Sequence, residues 1–271
     1  MSLSQGDRAF IDAIPEVYER LLVPLIFEAH ALDLAARIAR TAPLRVLEIA
    51  AGTGVLTRQL AVTLPEKAAI VATDLNQPML DQAIAIGTKR PVEWQVADAL
   101  SLPFPDGSFD AVACQFGVMF FPDKPRAYSE IHRVLRPQGH FFFSAWDRIE
   151  INDFAALTEA ALAELFADNP PRFLSRTPHG YHDPTIIRRE LEEGGFSNGA
   201  EINAVAARSR APSAHIAATA YCLGTPLRSE IEARTASPDT AIAKAAEAIA
   251  RRFGASAVDG KIQALVAGVR R

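Results

Sequence analysis

Between residues 45 and 146 the hydrophobic pattern switches repeatedly between a strand-like and a helix-like period, and few architectures accommodate such a chain. Apolar, β-branched-rich runs at 45–49, 68–73, 92–96, 109–114 and 140–145 predict strands. Helical patterns at 56–64, 78–87 and 125–135 lie between them. Short strands with intervening helices predict a doubly wound α/β domain whose parallel sheet is covered on both faces. Before this region, Pro24 stands where a first helical residue would, and apolar residues in two adjacent stripes predict a helix over 25–40. After Trp146 the pattern predicts a helix over 152–167, a Pro-rich loop over 169–181 and a helix over 185–193. A strand over 200–207, a mostly helical stretch over 212–253 and a closing strand over 262–269 complete the reading.

Composition narrows the functional classes. The formal charge is −4, and no basic stripe of the kind that tracks nucleic acid is present, so a nucleic-acid partner is not expected. No run reaches the ~18 apolar residues of a membrane span. Met1 to Asp7 is polar and no apolar run follows, so an export leader is not expected and the cytoplasm is the expected compartment. Two cysteines, Cys114 and Cys222, are too few for a disulfide framework or a cysteine zinc site, and no metal is expected.

The first strand ends in the turn Glu48-Ile49-Ala50-Ala51-Gly52-Thr53-Gly54. Small residues there let a ligand approach the backbone closely. Asp74 closes the second strand twenty residues beyond Gly54, where a carboxylate can accept hydrogen bonds from both hydroxyls of an adenosine ribose. Dinucleotides and other adenosyl ligands use that device alike. A dinucleotide fingerprint, however, needs a third small residue, and the available registers put Thr57 or Val55 there.

The turn resembles the acidic-x-Gly-x-Gly-x-Gly motif of class I S-adenosylmethionine methyltransferases, with Ala50 in place of the first glycine. Thr73-Asp74-Leu75-Asn76-Gln77-Pro78-Met79, Val96-Ala97-Asp98-Ala99 and Arg133-Val134-Leu135-Arg136-Pro137-Gln138-Gly139 resemble the family's later elements in the same order. The likeness covers residues 45–146 and is greatest to the small-molecule branch that includes the ubiquinone and menaquinone biosynthesis enzymes. It implies a Rossmann-like, mostly parallel seven-stranded sheet with helices on both faces and added helices forming a lid. One methyltransferase domain is then expected over 1–271: a helical cap at 1–40, a cofactor core at 41–146, and lid helices with closing strands at 147–271.

The resemblance implies S-adenosyl-L-methionine as cofactor and S-adenosyl-L-homocysteine as product. It assigns Glu48, Ala50, Ala51, Gly52 and Gly54 to the turn, Asp74 to the ribose, Leu75 and Met79 to the adenine faces, and Asp98 and Ala99 to the adenine edge. Gln115, after the fourth strand, is the candidate for the methionine portion. Tyr18, Phe116 and Trp146 are candidates for an acceptor pocket closed by the amino-terminal segment and the helices after Trp146, with the stretch from Phe154 to Tyr181 beside them. The apolar and aromatic character of these segments suggests a small, largely apolar acceptor. A homodimer is one assembly open to it.

No general base announces itself. His182 is the candidate, since imidazole titrates near working pH. His30 and His132 read as packing or surface residues. Asn169-Pro170-Pro171-Arg172 looks like an amino-methyltransferase element, but it follows the fifth strand, not the fourth, and reads as a loop breaker. Two alternatives stay open: an adenosyl-binding protein of methyltransferase fold without catalysis, and a nicotinamide-dependent oxidoreductase.

Overall fold

The computed structural model describes residues 10, 14–235 and 237–271. Its centre is a seven-stranded sheet in the order β3-β2-β1-β4-β5-β7-β6. The strands are β1 (Arg45–Ile49), β2 (Ala69–Asp74), β3 (Glu93–Val96), β4 (Phe109–Gln115), β5 (Leu135–Trp146), β6 (Glu201–Ala211) and β7 (Val258–Arg270). The first five run parallel to one another, while β7 pairs antiparallel with both β5 and β6. The mostly parallel α/β expectation therefore holds, with the late strands extending the same sheet.

Burial explains why the inner strands read as continuous apolar runs. Val46, Leu47, Ala111, Val112, Ala113 and Cys114 are fully buried, because helices cover both faces of β1 and β4. β5 starts earlier than its pattern suggested. Leu135 already pairs with Phe109, and a bulge between Phe109 and Ala111 absorbs the residues around Gln138, whose φ is 69°.

The helices of the sheet are α3 (Val55–Thr63), α4 (Gln77–Ile86) and α5 (Lys124–Val134). The Asp123 carboxylate caps α5 by accepting from the Arg126 N–H at 3.0 Å. Beyond β5 come α6 (Asp153–Leu165), α7 (Phe173–Arg176), α8 (Pro184–Glu193), α9 (Ala214–Leu223), α10 (Leu227–Glu232) and α11 (Asp239–Phe253). The expected helical stretch over 212–253 is thus divided into three helices, and the Pro-rich loop contains the short α7. Among the described residues, no helix is long and apolar enough to cross a membrane.

One local expectation needs correction. Pro24 does not open a helix but lies inside one. A short α1 (Ile14–Val17) runs into a ten-residue π-helix, Tyr18–Phe27, which continues as α2 (Glu28–Ala39). A proline ring in an α-helix collides with the carbonyl four residues back and removes a donor, whereas the wider π winding moves that carbonyl away. The same winding stacks Tyr18 on Phe27, with ring centroids 4.9 Å apart.

Leu47, fully buried at the centre of the sheet, sets the scale of core stability. Leu47→Ala is expected to cost about 2–5 kcal/mol in chemical denaturation. Val62→Ala, on a side chain left 63% exposed, should stay within about 0.5 kcal/mol of the parent.

Candidate active site

The carboxyl ends of β1, β2 and β4 open into one cavity of about 1200 Å³, counting its mouth. Ligands bind at this end of an α/β sheet, where the strand order reverses. The lining includes Ala50, Gly52, Asp74, Leu75, Met79, Asp98 and Ala99. It also includes Tyr18, Phe27, Gln115, Phe116, Trp146 and Phe173, and the Tyr18 hydroxyl approaches the turn at Gly52. Glu48, Ala51 and Gly54 lie behind the turn and are not part of the lining.

The turn is held from below. Glu48 is buried, accepts from the Thr57 hydroxyl at 2.6 Å, and is pushed up to about 8 by its burial. Thr57, the residue that displaced the dinucleotide reading, therefore has a structural task of its own. Asp74 accepts from the backbone N–H of Gly52 and of Asn76, each at 2.8 Å. Burial raises its pKa, opposed by those donors. One carboxylate thus holds the first turn against the start of α4 while remaining in the cavity wall. Asp98 accepts from the Leu100 N–H at 2.9 Å, so it also shapes its own turn.

Two residues other than glycine take left-handed backbone at neighbouring strand ends: Ala50, with φ 54°, and Phe116, with φ 52°. The motif's missing glycine has a partner in Gly117. A Cβ there would lie 2.5 Å from the Ala50 Cβ and 2.6 Å from the Cys114 Sγ. The Ala50 methyl group occupies the space that Gly117 leaves free.

Aromatic rings build the far wall. Phe116 stacks on Trp146 at 3.8 Å with the planes 9° apart, and Phe27 leans on both. His30 is sealed behind them, neutral, with both ring nitrogens unpartnered. Burial pushes its pKa down to about 4. The amino-terminal segment is tied to the sheet twice: the Gln115 amide donates to the Phe27 carbonyl at 3.0 Å, and Arg58 pairs with Glu19 at 2.7 Å.

Some sequence candidates fall elsewhere. His182 is exposed and outside the lining; its Nδ1 lies 2.7 Å from the His179 carbonyl oxygen. His179, inside the expected Phe154 to Tyr181 stretch but not the candidate base, is in the lining instead. Phe154 is fully buried against Phe253, and Tyr181 bonds Tyr128 away from the lining. Asn169 is bound by Arg234 and the Arg172 N–H by Glu230, so the Asn-Pro-Pro segment is a loop pinned beside α10. Gly117, Asn152, Phe173, Tyr221 and Thr225 also join the lining. Of these, Gly117 stands two residues past Gln115 at a strand end and Phe173 falls within the expected Phe154 to Tyr181 stretch; the others carried no local signal. Among the described residues, no cluster of His, Cys, Asp or Glu could hold a metal ion.

A family model described as a methyltransferase domain matches residues 47–143. A ubiquinone/menaquinone biosynthesis C-methyltransferase of Methylobacterium nodulans is 31% identical over 185 residues, which are 62% of this chain and 71% of the relative. The chain belongs to this family of S-adenosyl-L-methionine-dependent methyltransferases. A demethylmenaquinone methyltransferase of Thermus thermophilus is 43% identical over 117 residues, 42% of this chain. The match spans about half of that relative, 51% of its length. Among solved structures, phosphoethanolamine N-methyltransferase 2 of Haemonchus contortus with S-adenosyl-L-methionine has a TM-score of 0.60 at 17% identity. It covers 98% of this chain and 60% of that one. The cyclase SpnF matches at a TM-score of 0.52 and 19% identity, over 89% and 80% of the two chains. At such identities the likeness concerns the fold alone.

The residues present suit the cofactor. Gln115 is 8% exposed and its Oε1 has no partner, so a buried acceptor is left for a cationic N–H donor. Gly52 and the Asp74 carboxylate belong to the same lining.

Two predictions follow from the turn. Gly117→Ala should destabilise by about 1–3 kcal/mol through overpacking. Adding Ala50→Gly should recover part of that loss in thermal melts, since it removes the opposing Cβ and a left-handed alanine that costs roughly 1–2 kcal/mol. Glu48 supplies the second. A carboxyl group with a raised folded pKa contributes stability below its unfolded pKa of 4.5, which is lost as pH rises through about 8. Glu48→Gln should flatten the decline in denaturation free energy between those pH values.

Proposed function

We propose that the chain moves the methyl group of S-adenosyl-L-methionine to a small, neutral, largely apolar acceptor, with residues 1–271 working as one methyltransferase unit in the cytoplasm. The observation that carries this reading is the make-up of the cavity wall. It joins the small-residue turn and two carboxylates to stacked aromatic rings. No lysine or arginine occurs among the described lining residues, whose charged side chains are Asp74 and Asp98. A phosphorylated or carboxylated acceptor would meet like charge and no counter-ion. An apolar ring of the kind suggested by the quinone-pathway names of the relatives suits the Phe116, Trp146 and Phe27 wall.

The bound cofactor supplies a methyl group already activated by its sulfonium. What remains for the protein is placement. Asp74 binds the ribose hydroxyls, Leu75 and Met79 flank the adenine, and Asp98 with the backbone at Ala99 takes the adenine edge. The Gln115 Oε1 accepts from the ammonium group. Tyr18, Phe27, Phe116 and Trp146 hold the acceptor, exclude water and align it. Such alignment can supply roughly 7–11 kcal/mol of a barrier.

Isotopic methyl transfer against a panel graded by charge and aromaticity tests the reading. Label is expected on neutral aromatic acceptors. Transfer only to anionic acceptors would overturn it, and cofactor binding with no transfer to any acceptor would favour a non-catalytic role. Asp74→Asn should weaken cofactor binding by about 1.5–3 kcal/mol in calorimetry. An unchanged affinity would remove Asp74 from the ribose.

A further inference from the structure

His179 sits in the cavity wall on the loop after α7, 5% exposed. Its Nδ1 is 2.7 Å from the backbone carbonyl oxygen of Asp147, the residue that follows Trp146 at the end of β5. A carbonyl oxygen can only accept, so Nδ1 carries the hydrogen and Nε2 of the neutral ring presents a lone pair. That lone pair has no protein partner among the described residues. Unlike the two nitrogens of His30, it is not sealed in the interior.

The surroundings hold this ring in one orientation. The His179 N–H donates to the Leu174 carbonyl at 2.9 Å, and the His179 carbonyl lies 2.7 Å from His182 Nδ1. The Asp147 carbonyl also accepts from the Asn152 amide at 3.2 Å. Asn152 in turn accepts from the Gln263 N–H of β7 at 2.9 Å, and the Asp147 N–H donates to the Gln263 carbonyl at 3.1 Å. A histidine fixed by loop, strand end and neighbouring strand is organised before any ligand arrives. Its ring lies 6.0 Å, centroid to centroid, from that of Trp146, beside the aromatic wall.

We infer that His179 reads a hydroxyl group on the acceptor, its Nε2 serving as a fixed hydrogen-bond acceptor at the edge of the aromatic wall. The inference rests on reading this cavity as the acceptor site, and it makes His179 the residue that senses the acceptor's polar edge. An apolar ring without the hydroxyl leaves a desolvated lone pair unpaired, which is how a polar pocket discriminates.

The test compares 1-naphthol with naphthalene, titrated into the full-length protein saturated with S-adenosylhomocysteine. The wild type should bind 1-naphthol about tenfold more tightly, the scale of one hydrogen bond. His179→Asn keeps an amide donor for the Asp147 carbonyl but has no Nε2, and it should bind both ligands equally. In the wild type, nitrogen-15 spectra of labelled histidine should show one lone-pair nitrogen that moves with 1-naphthol and not with naphthalene. That measurement decides the matter if the variant does not fold. A preference retained in His179→Asn, or an unmoved nitrogen resonance, would overturn the assignment and place the hydroxyl elsewhere in the wall. Failure of both ligands to bind would instead overturn the apolar-acceptor reading, and the inference with it.

Discussion

Where β1 and β4 end side by side, there is room for one methyl group between their turns. Ala50 takes that room and Gly117 concedes it. Both turns have to bend sharply there, and both do so with a residue other than glycine in left-handed backbone. Such strain persists only where the surroundings over-determine it, and it gathers at ligand sites. Here the surroundings are the parallel pairing of β1 with β4, the Asp74 carboxylate on the Gly52 N–H, and the buried Glu48–Thr57 pair. The cavity mouth, the position of Phe116 and the path of the chain toward α5 all follow from that close approach.

The amino-terminal segment extends the same logic. It closes over the sheet through the Gln115 bond to the Phe27 carbonyl and the Arg58–Glu19 pair, so each attachment begins at a strand end or at the helix after the first turn. The π winding around Pro24 brings Tyr18 and Phe27 face to face at the cavity. A regular α-helix would set side chains nine residues apart on different faces, since nine is two and a half turns. The wider helix thus resolves the proline conflict and also assembles part of the aromatic wall. Charge follows a similar economy: the cavity wall has the carboxylates of Asp74 and Asp98, and among its described residues no lysine or arginine.

Much of this was legible in the order of residues. The five parallel strands, the turn from Glu48 to Gly54, Asp74 at the second strand end and Gln115 at the fourth are local signals, because period, chain punctuation and strand-end position are properties of consecutive residues. The aromatic lining of the cavity was only partly legible. Tyr18, Phe116 and Trp146, which adjoin recognisable elements, do line it. Within the Phe154 to Tyr181 stretch, Phe154 lies in the core while Phe173 reaches the cavity, and Tyr221 reaches it from a segment with no motif.

The histidines show where sequence stopped and tertiary structure decided. His179 and His182 stand three residues apart on one loop, and linear reading favoured the second. In the folded chain the first is buried at the cavity and the second is exposed, bonded to the backbone of the first. What separates them is the Asp147 carbonyl, thirty-two residues away, delivered by the end of β5. By itself the sequence determined the α/β class, the small-residue turn after β1 and the carboxylates at the neighbouring strand ends, because each depends on neighbours along the chain. The winding of the first helix, the pairing of Ala50 with Gly117, and the tautomer and placement of His179 were decided by tertiary structure. Each depends on which distant backbone comes within about 3 Å, and hydrogen-bond and van der Waals distances are set by packing rather than by adjacency.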